Sequence, residues 1–288
     1  MSTLSMRLRS PLSQRIDMSP FTPRRLAGRQ GSEIARIPIW LGNRQLECGE
    51  LFEIDGVAGE EIIIQSESDR LDRIGAGMDG GIIRIEGDAG AYLGRGMHSG
   101  SLLLNGNAGS AAGCAMRGGL LRIEGNAGDF LGGAITGERQ GMRGGTILLK
   151  GNSGDRAGDL MRRGMILIEG DCGDYCASRM IAGTLFVNGQ TGSQTGYAMR
   201  RGTLITTRAP ASMPASFNDN GLQHLNFLTL LGEEIQRHTN FSRIMDRARP
   251  PRRWLGDLSC DGKGEKSLKF RCFNSSVTGS GQQLQHSV

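Results

Sequence analysis

A step of 19 residues governs what this chain can fold into. Gly87, Gly106 and Gly125 are 19 apart, Gly151 follows after 26, and Gly170 and Gly189 resume the step. Met78, Met97, Met116, Met142, Met161, Met180 and Met199 keep the same rhythm, as do Gly81, Gly100, Gly119, Gly145, Gly164, Gly183 and Gly202. The one irregular step is a seven-residue insertion, ITGERQG at 135–141. A fixed period of this kind decides architecture before any local propensity does. Helical repeats need roughly 33–34 residues, so 19 leaves room only for short strands and tight corners.

Between the two glycine columns the residues alternate: Ile83/Ile85, Leu102/Leu104, Leu121/Ile123, Ile147/Leu149, Ile166/Ile168, Leu185/Val187 and Leu204/Thr206. Period two marks a strand with one face inward. Glycine is 46 of 288 residues, about double the usual share of ~7%, and it supplies the positive φ of corners. The sequence therefore predicts an all-β fold: a parallel, right-handed β-helix of about seven 19-residue coils, with an earlier, less regular coil at LFEIDGVAG, 51–59. Methionine, adaptable in shape, is expected to fill an interior corner. The polar column Asp88, Asn107, Asn126, Asn152, Asp171 and Gln190 reads as a turn ladder.

Two outward columns carry the functional expectations. The residue after each Met gives Asp79, His98, Arg117, Arg143, Arg162, Ile181 and Arg200, with Arg163 and Arg201 one place later. Such a column is either a solvated face that guards strand edges or, at about 4.8 Å per coil, a ridge for an extended polyanion. The position between the inward pairs is apolar in the last four coils: Leu148, Leu167, Phe186 and Ile205. An apolar stripe needs a cover, either a C-terminal helix of the same chain or another protein, and a partner subunit is the expectation.

The four expected regions are a basic N-terminal capping segment (1–45), the β-helix (46–209), a C-terminal helical and basic cap (210–270) and a disordered tail (271–288). In the third, Leu222, Leu225, Phe227, Leu228, Leu231 and Ile235 suit an amphipathic helix. No apolar run approaches the ~18 residues of a membrane span, and MSTLSMRLRS lacks the apolar core of a secretory signal, which predicts a cytoplasmic protein. The net charge of +5 suggests an anionic partner. Nucleic acid is disfavoured because no aromatic platform interleaves with the basic residues. The six cysteines lack metal-site spacing, and the four histidines pair with no visible nucleophile, so no catalytic or metal-ligating residue is expected.

The coils, the insertion GERQGMRGG, the flank IPIWLGNRQLECGELFEIDGVAG and the C-terminal RRWLGDLSCDGKGE together resemble the C subunit of formylmethanofuran dehydrogenase over roughly residues 6–270. The coils alone are also similar to the C-terminal domain of the large glutamate synthase subunit. Cysteine usage and the arginine-rich N-terminus look closer to the bacterial version, in the formyltransferase/hydrolase complex. The resemblance implies a noncatalytic subunit in an oxidoreductase-family complex of one-carbon metabolism, beside hydrolase, formyltransferase and dehydrogenase-like subunits. It also implies a methanofuran-type cofactor in the complex rather than one bound by this chain alone. That cofactor carries a polyglutamate tail, which makes Arg117, Arg143, Arg162, Arg163, Arg200 and Arg201 candidate tail-binding residues. The alternatives are a glutamate-synthase-like domain or a stand-alone β-helical enzyme. A 19-residue coil breaks the register of six-residue acyltransferase repeats, and the aspartate cluster of a polysaccharide lyase is not visible.

Overall fold

The computed structural model describes residues 3–210, 214–238, 250–260 and 264–268. The tail expected at 271–288 lies outside them. The N-terminal part holds β1 (Thr3–Leu8), β2 (Ile16–Asp17), α1 (Pro23–Leu26), α2 (Gly31–Ile34), the hairpin β3 (Pro38–Leu41) and β4 (Arg44–Glu47), α3 (Cys48–Leu51) and β5 (Phe52–Gly56). The coils supply β6 (Glu61–Gln65), β7 (Leu71–Asp72), β8 (Asp79–Glu86), β9 (Ser99–Asn105), β10 (Leu120–Ile123), β11 (Arg143–Leu149), β12 (Arg163–Ile168), β13 (Thr184–Val187) and β14 (Thr203–Thr206). The C-terminal part adds β15 (Asn218–Leu222), α4 (Asn226–His238), β16 (Arg252–Gly256), a 3-10 turn at Leu258–Cys260 and β17 (Gly264–Leu268).

One sheet runs the length of the molecule in the order β15-β16-β17-β14-β13-β12-β11-β10-β9-β8-β6-β1-β5. From β6 to β14 the strands are parallel and in register, with Ile62, Ile83, Leu102, Leu121, Ile147, Ile166, Leu185 and Leu204 stacked in one column. A second side of each coil is a single-residue ladder through Ala89, Ala108, Ala127, Ser153, Cys172 and Thr191. This is the parallel β-solenoid that the 19-residue step predicts. Every alternating pair named above is buried.

All seven columnar methionines are fully buried. Their recurrence with glycine has a steric cause. A Cβ added at Gly119 would sit 2.6 Å from the Met97 methyl, and one at Gly100 would sit 2.7 Å from that of Met78. Each Met therefore packs where the next coil has no side chain. Both glycines also have positive φ, 81° and 91°, so a larger residue meets a strained backbone as well as a clash.

The polar ladder is also present. Asp88 Oδ1 accepts from the Asn107 backbone N–H at 2.7 Å, Asn107 Oδ1 from Asn126 at 2.9 Å, and Asn152 Oδ1 from Asp171 at 2.8 Å. A second ladder, not singled out from the sequence, runs from Asp129 to Asp155 to Asp174 to Ser193 at 2.7–2.9 Å. Both satisfy corner N–H groups that the strands leave over.

The ends depart from the expectations in specific ways. The segment at 51–59 is not a parallel coil, because β5 runs antiparallel to β1 at the sheet edge. The coil that precedes the regular ones is β6, which bonds β1 on one side and β8 on the other. Its Ile62/Ile64 pair stands 21 residues before Ile83/Ile85 and is followed by Ser66 rather than glycine. At the other end the helix begins only at Asn226, and Leu222 is an exposed strand residue. The basic RRWLG is strand β16, antiparallel to β17, which extends the parallel stack beyond β14.

The insertion at 135–141 leaves the register intact, since Met142 N–H bonds the Gly132 carbonyl at 2.8 Å. It folds back so that Glu138 pairs with Arg95 at 2.8 Å. Cys48 and Cys114 are buried, and burial pushes both thiols up to about 12 from 9.0, with the Glu138 carboxylate adding to the shift at Cys114.

Two outcomes test this packing. Gly119→Ala should destabilise by about 1–3 kcal/mol and Met97→Ala by about 2–4 kcal/mol. In urea unfolding the double variant should cost clearly less than the sum, because removing Met97 makes room for the new methyl. In the native protein Cys48 and Cys114 should resist alkylation by iodoacetamide at pH 8, since the reactive thiolate forms only well above that pH, and should react once urea unfolds the chain.

Candidate functional site

The inward Met at each corner forces the next residue outward, and the coils repeat that geometry. The backbone N–H groups of Arg117, Arg143, Arg162 and Arg200 bond to the carbonyls of Met97, Met116, Met142 and Met180, one coil earlier, at 2.7–2.9 Å. The column is thus held in line by main chain, whatever its side chains are. From Arg117 to Arg200 it spans four steps, about 19 Å at ~4.8 Å each. Arg163 and Arg201 lie one place on, and Arg143 and Arg163 are register partners across β11 and β12.

All six arginines are exposed, and none has an ion-pair or side-chain hydrogen-bond partner among the described residues. Some arginines elsewhere are paired with carboxylates, while Arg7, Arg29, Arg36, Arg44, Arg139 and Arg208 have no carboxylate partner among the described residues either. Arg15 pairs with Asp72 at 2.7 Å, Arg73 with Asp17 at 2.8 Å, Arg84 with Glu61 at 2.5 Å and Arg122 with Glu124 at 2.5 Å. Glu124 also meets Lys150. The ridge therefore carries a local surplus of positive charge, broken only at half-buried Ile181. At its N-terminal end the sign reverses: Asp79 occupies the same column and pairs with Arg24.

The sequence missed two features that border this face. Asp159 is fully buried and accepts from Ser178 Oγ at 2.6 Å and Arg179 Nε at 2.9 Å. That bond raises the Arg179 pKa and fixes its guanidinium. The second is a stacked column in which the Arg156 guanidinium lies 6.0 Å from the Phe130 ring and 4.6 Å from the Tyr175 ring, with Tyr197 edge-on to Tyr175 at 6.1 Å. Asp159 and Ser178 share one column and Phe130, Arg156 and Tyr175 another, which is the signal an alignment of coils offers, whereas Arg179 lies off both columns and Tyr197 off the second.

The expected partner interface is corrected by the structure. Leu148, Leu167, Phe186 and Ile205 are buried with Leu228 and Ile235 of α4, and Leu225 and Leu231 pack against the same cluster. The helix turns its apolar side onto the stripe, so the chain covers these four residues itself and they offer no surface to another subunit. Towards β8 the same sheet face is open, with a 440 Å³ cleft lined by Arg84, Leu103, Leu120 and Arg122 among others.

Among the described residues, no group of three or more His, Cys, Asp or Glu converges as a metal site, and no helix is long and apolar enough to cross a membrane. His98 and His224 are exposed on separate parts of the chain. The arrangement on the ridge is suited to holding an anion rather than to transferring a proton or a group.

No family model matches the sequence. The chain is 43% identical over 85 residues to the C subunit of the formyltransferase/hydrolase complex Fhc of Methylorubrum extorquens, a match covering 30% of this chain and 31% of that protein. It is 38% identical over 76 residues to the C subunit of molybdenum-containing formylmethanofuran dehydrogenase 1 of Methanosarcina barkeri, covering 25% of each. These matches span about a third and a quarter of the two curated relatives. The structural likeness is far more extensive. A chain in the crystal structure of the formyltransferase/hydrolase complex (FhcABCD) from Methylorubrum extorquens in complex with methylofuran superposes with a TM-score of 0.87 and 41% identity, over 93% of this chain and 100% of that one. A shared solenoid at that identity and full coverage, together with the two relatives, is a family relationship: the chain belongs to the family of C subunits found in formyltransferase/hydrolase and formylmethanofuran dehydrogenase complexes.

Proposed function

We propose that this chain is a noncatalytic scaffold subunit of a formyltransferase/hydrolase-type complex in one-carbon metabolism, and that its arginine ridge holds the polyglutamate tail of a methanofuran-type cofactor. The observation that carries the reading is the row of six exposed arginines on a main-chain ladder, with no ion-pair partner among the described residues. A guanidinium is always charged and its planar fork fits a carboxylate with two N–H donors. An extended chain of carboxylates is the partner whose shape matches a straight row of such forks. The structural relative comes from a complex with methylofuran, which supports a cofactor of this class in the assembly.

The scaffold role is supported by the solenoid itself, a rigid stack whose outward columns can present one surface over several coils. Because α4 seals the apolar stripe, sister subunits must dock elsewhere. Formyl transfer and hydrolysis would belong to those subunits, and this chain would keep the cofactor tail close to them while its head is processed.

Replacing Arg117, Arg143, Arg162 and Arg200 together with Gln should weaken retention of the polyglutamylated cofactor by the assembled complex about 10- to 100-fold, taking each exposed pair as worth ~0.3–0.7 kcal/mol. Raising salt from low to high concentration should weaken wild-type retention similarly and the variant little. Equal retention across the series would make the ridge a solvated surface only. Purified alone, the chain should show neither formyl hydrolase nor formyltransferase activity in a coupled formate assay, and turnover by the isolated protein would overturn the scaffold reading.

A further inference from the structure

The corner that ends each coil carries more than turning the chain requires. Tyr92, Ala111, Phe130, Arg156, Tyr175 and Gln194 hold one place in successive coils, all in the left-handed region at φ 53–62°. Main chain keeps the column in line, since the N–H groups of Tyr92, Phe130, Arg156 and Tyr175 each bond a carbonyl of the following coil at 2.8–2.9 Å. A residue with a Cβ is strained at such φ, and Ala111 makes the turn with the smallest one. Three rings and a guanidinium in the same place therefore answer to something other than the turn. The carboxylates beside them are also surplus to it. Asp129, Asp155 and Asp174 precede Phe130, Arg156 and Tyr175, and each Oδ1 accepts an N–H one coil later at 2.7–2.9 Å. In the neighbouring ladder Asn107 and Asn126 make the same bond with an amide, without stacking like charges ~4.8 Å apart.

The two halves of the column are treated differently. At Tyr92 the chain completes the contact itself: the Arg73 and Arg95 guanidinium groups lie 5.9 and 5.7 Å from the ring, and Asp17 and Glu138 of the insertion neutralise them. In the later half Arg156 lies between Phe130 and Tyr175, and Tyr197, 49% exposed, stands edge-on to Tyr175. Among the described residues the hydroxyls of Tyr175 and Tyr197 have no hydrogen-bond partner. Asp129, Asp155 and Asp174 face only Arg156 as a countercharge on this column, since Arg179 is taken up by Asp159. The later half is thus aromatic and net negative on a chain whose net charge is +5.

We infer that the later half of this corner, from Asp129 to Tyr197, is a docking surface for a sister subunit, which lays an arginine- or lysine-bearing segment across Tyr175 and Tyr197 with its charge against Asp155 and Asp174. The inference rests on the scaffold reading and gives it a contact face, now that α4 has closed the apolar stripe. The column itself shows the recognition, because Tyr92 and Tyr175 each hold a guanidinium of this chain over the ring. Tyrosine and arginine are also the residues from which interface anchors are most often built. Charge selects an unlike partner: two copies of this acidic corner repel, which disfavours a symmetric pair through it.

The test uses the full chain co-expressed and purified with its sister subunits. Assembly is measured by mass photometry on dilution, and the isolated chain by its melting temperature and sedimentation. Tyr197→Ala, and Asp155→Asn together with Asp174→Asn, should each weaken assembly about 10-fold or more. The isolated variants should melt with the wild type, because Tyr197 is half exposed and an amide keeps the turn bond that Asn107 and Asn126 already make. Higher salt should weaken assembly of the wild type more than that of the Asn pair. Wild-type assembly in both variants would overturn the docking surface, and so would weakened assembly that tracks a lowered melting temperature. An isolated chain that self-associates, and loses that association in the same variants, would overturn it in favour of a second copy. Failure of the scaffold reading looks different: the wild-type chain itself would not copurify with the sister subunits, and both readings would fall.

Discussion

The structure depends on an interlock between coils, in which the methyl of a buried Met occupies the space above a glycine one coil later. The contact explains why the two residue types recur together and why the step is held at 19. With the Met side chain inward at the corner, a longer or shorter coil would bring a side chain over the methyl instead of a glycine. Extra residues are tolerated only where they leave the corner and return to it. The insertion at 135–141 does this, departing after Ala134, which bonds Asp159, and rejoining at Met142, which bonds Gly132.

The same interlock determines where charge can be placed. Fixing Met inward fixes the following residue outward, so every substitution at that position falls on one line at the coil spacing. Two like charges ~4.8 Å apart repel by about 0.9 kcal/mol even in water. Long side chains lessen this by splaying apart, yet a row of unpaired arginines still costs stability that uncharged residues would not. The chain neutralises arginine with carboxylate on the sheet face, at Arg84–Glu61 and Arg122–Glu124, whereas none of the six ridge arginines pairs with a carboxylate among the described residues. On the proposed reading a bound polyanion would remove that cost, its chain replacing several weak counter-ions with one ligand.

Features that recur from coil to coil could be read from the sequence, because each was written out several times. The inward pairs, the Met corner, the Asn/Asp ladder and the alignment of Arg117 with Arg143, Arg162 and Arg200 all belong to this group. Features formed between a coil and something unlike it could not. Strand β1 enters the sheet beside β6 with partners 58 residues away, β5 pairs antiparallel where a coil was expected, and β6 carries the right alternation at a step of 21 without the corner glycine. The Asp159–Arg179 bond links positions that differ by 20, one coil and one residue, so it appears only once the columns are drawn in space.

The apolar stripe shows how the two kinds of information combine. Its composition demanded a cover, but nothing local identified the cover as part of the same chain. A 13-residue helix is about 20 Å long, and the four strands β11 to β14 occupy about 14 Å centre to centre. One helix therefore crosses the whole run of apolar residues, and the run ends where its reach ends: the preceding coil carries Arg122, and Leu103 before it is flanked by charged neighbours. The apolar column thus matches the length of its own lid rather than the footprint of another protein. With that face closed from within, the six ridge arginines remain exposed.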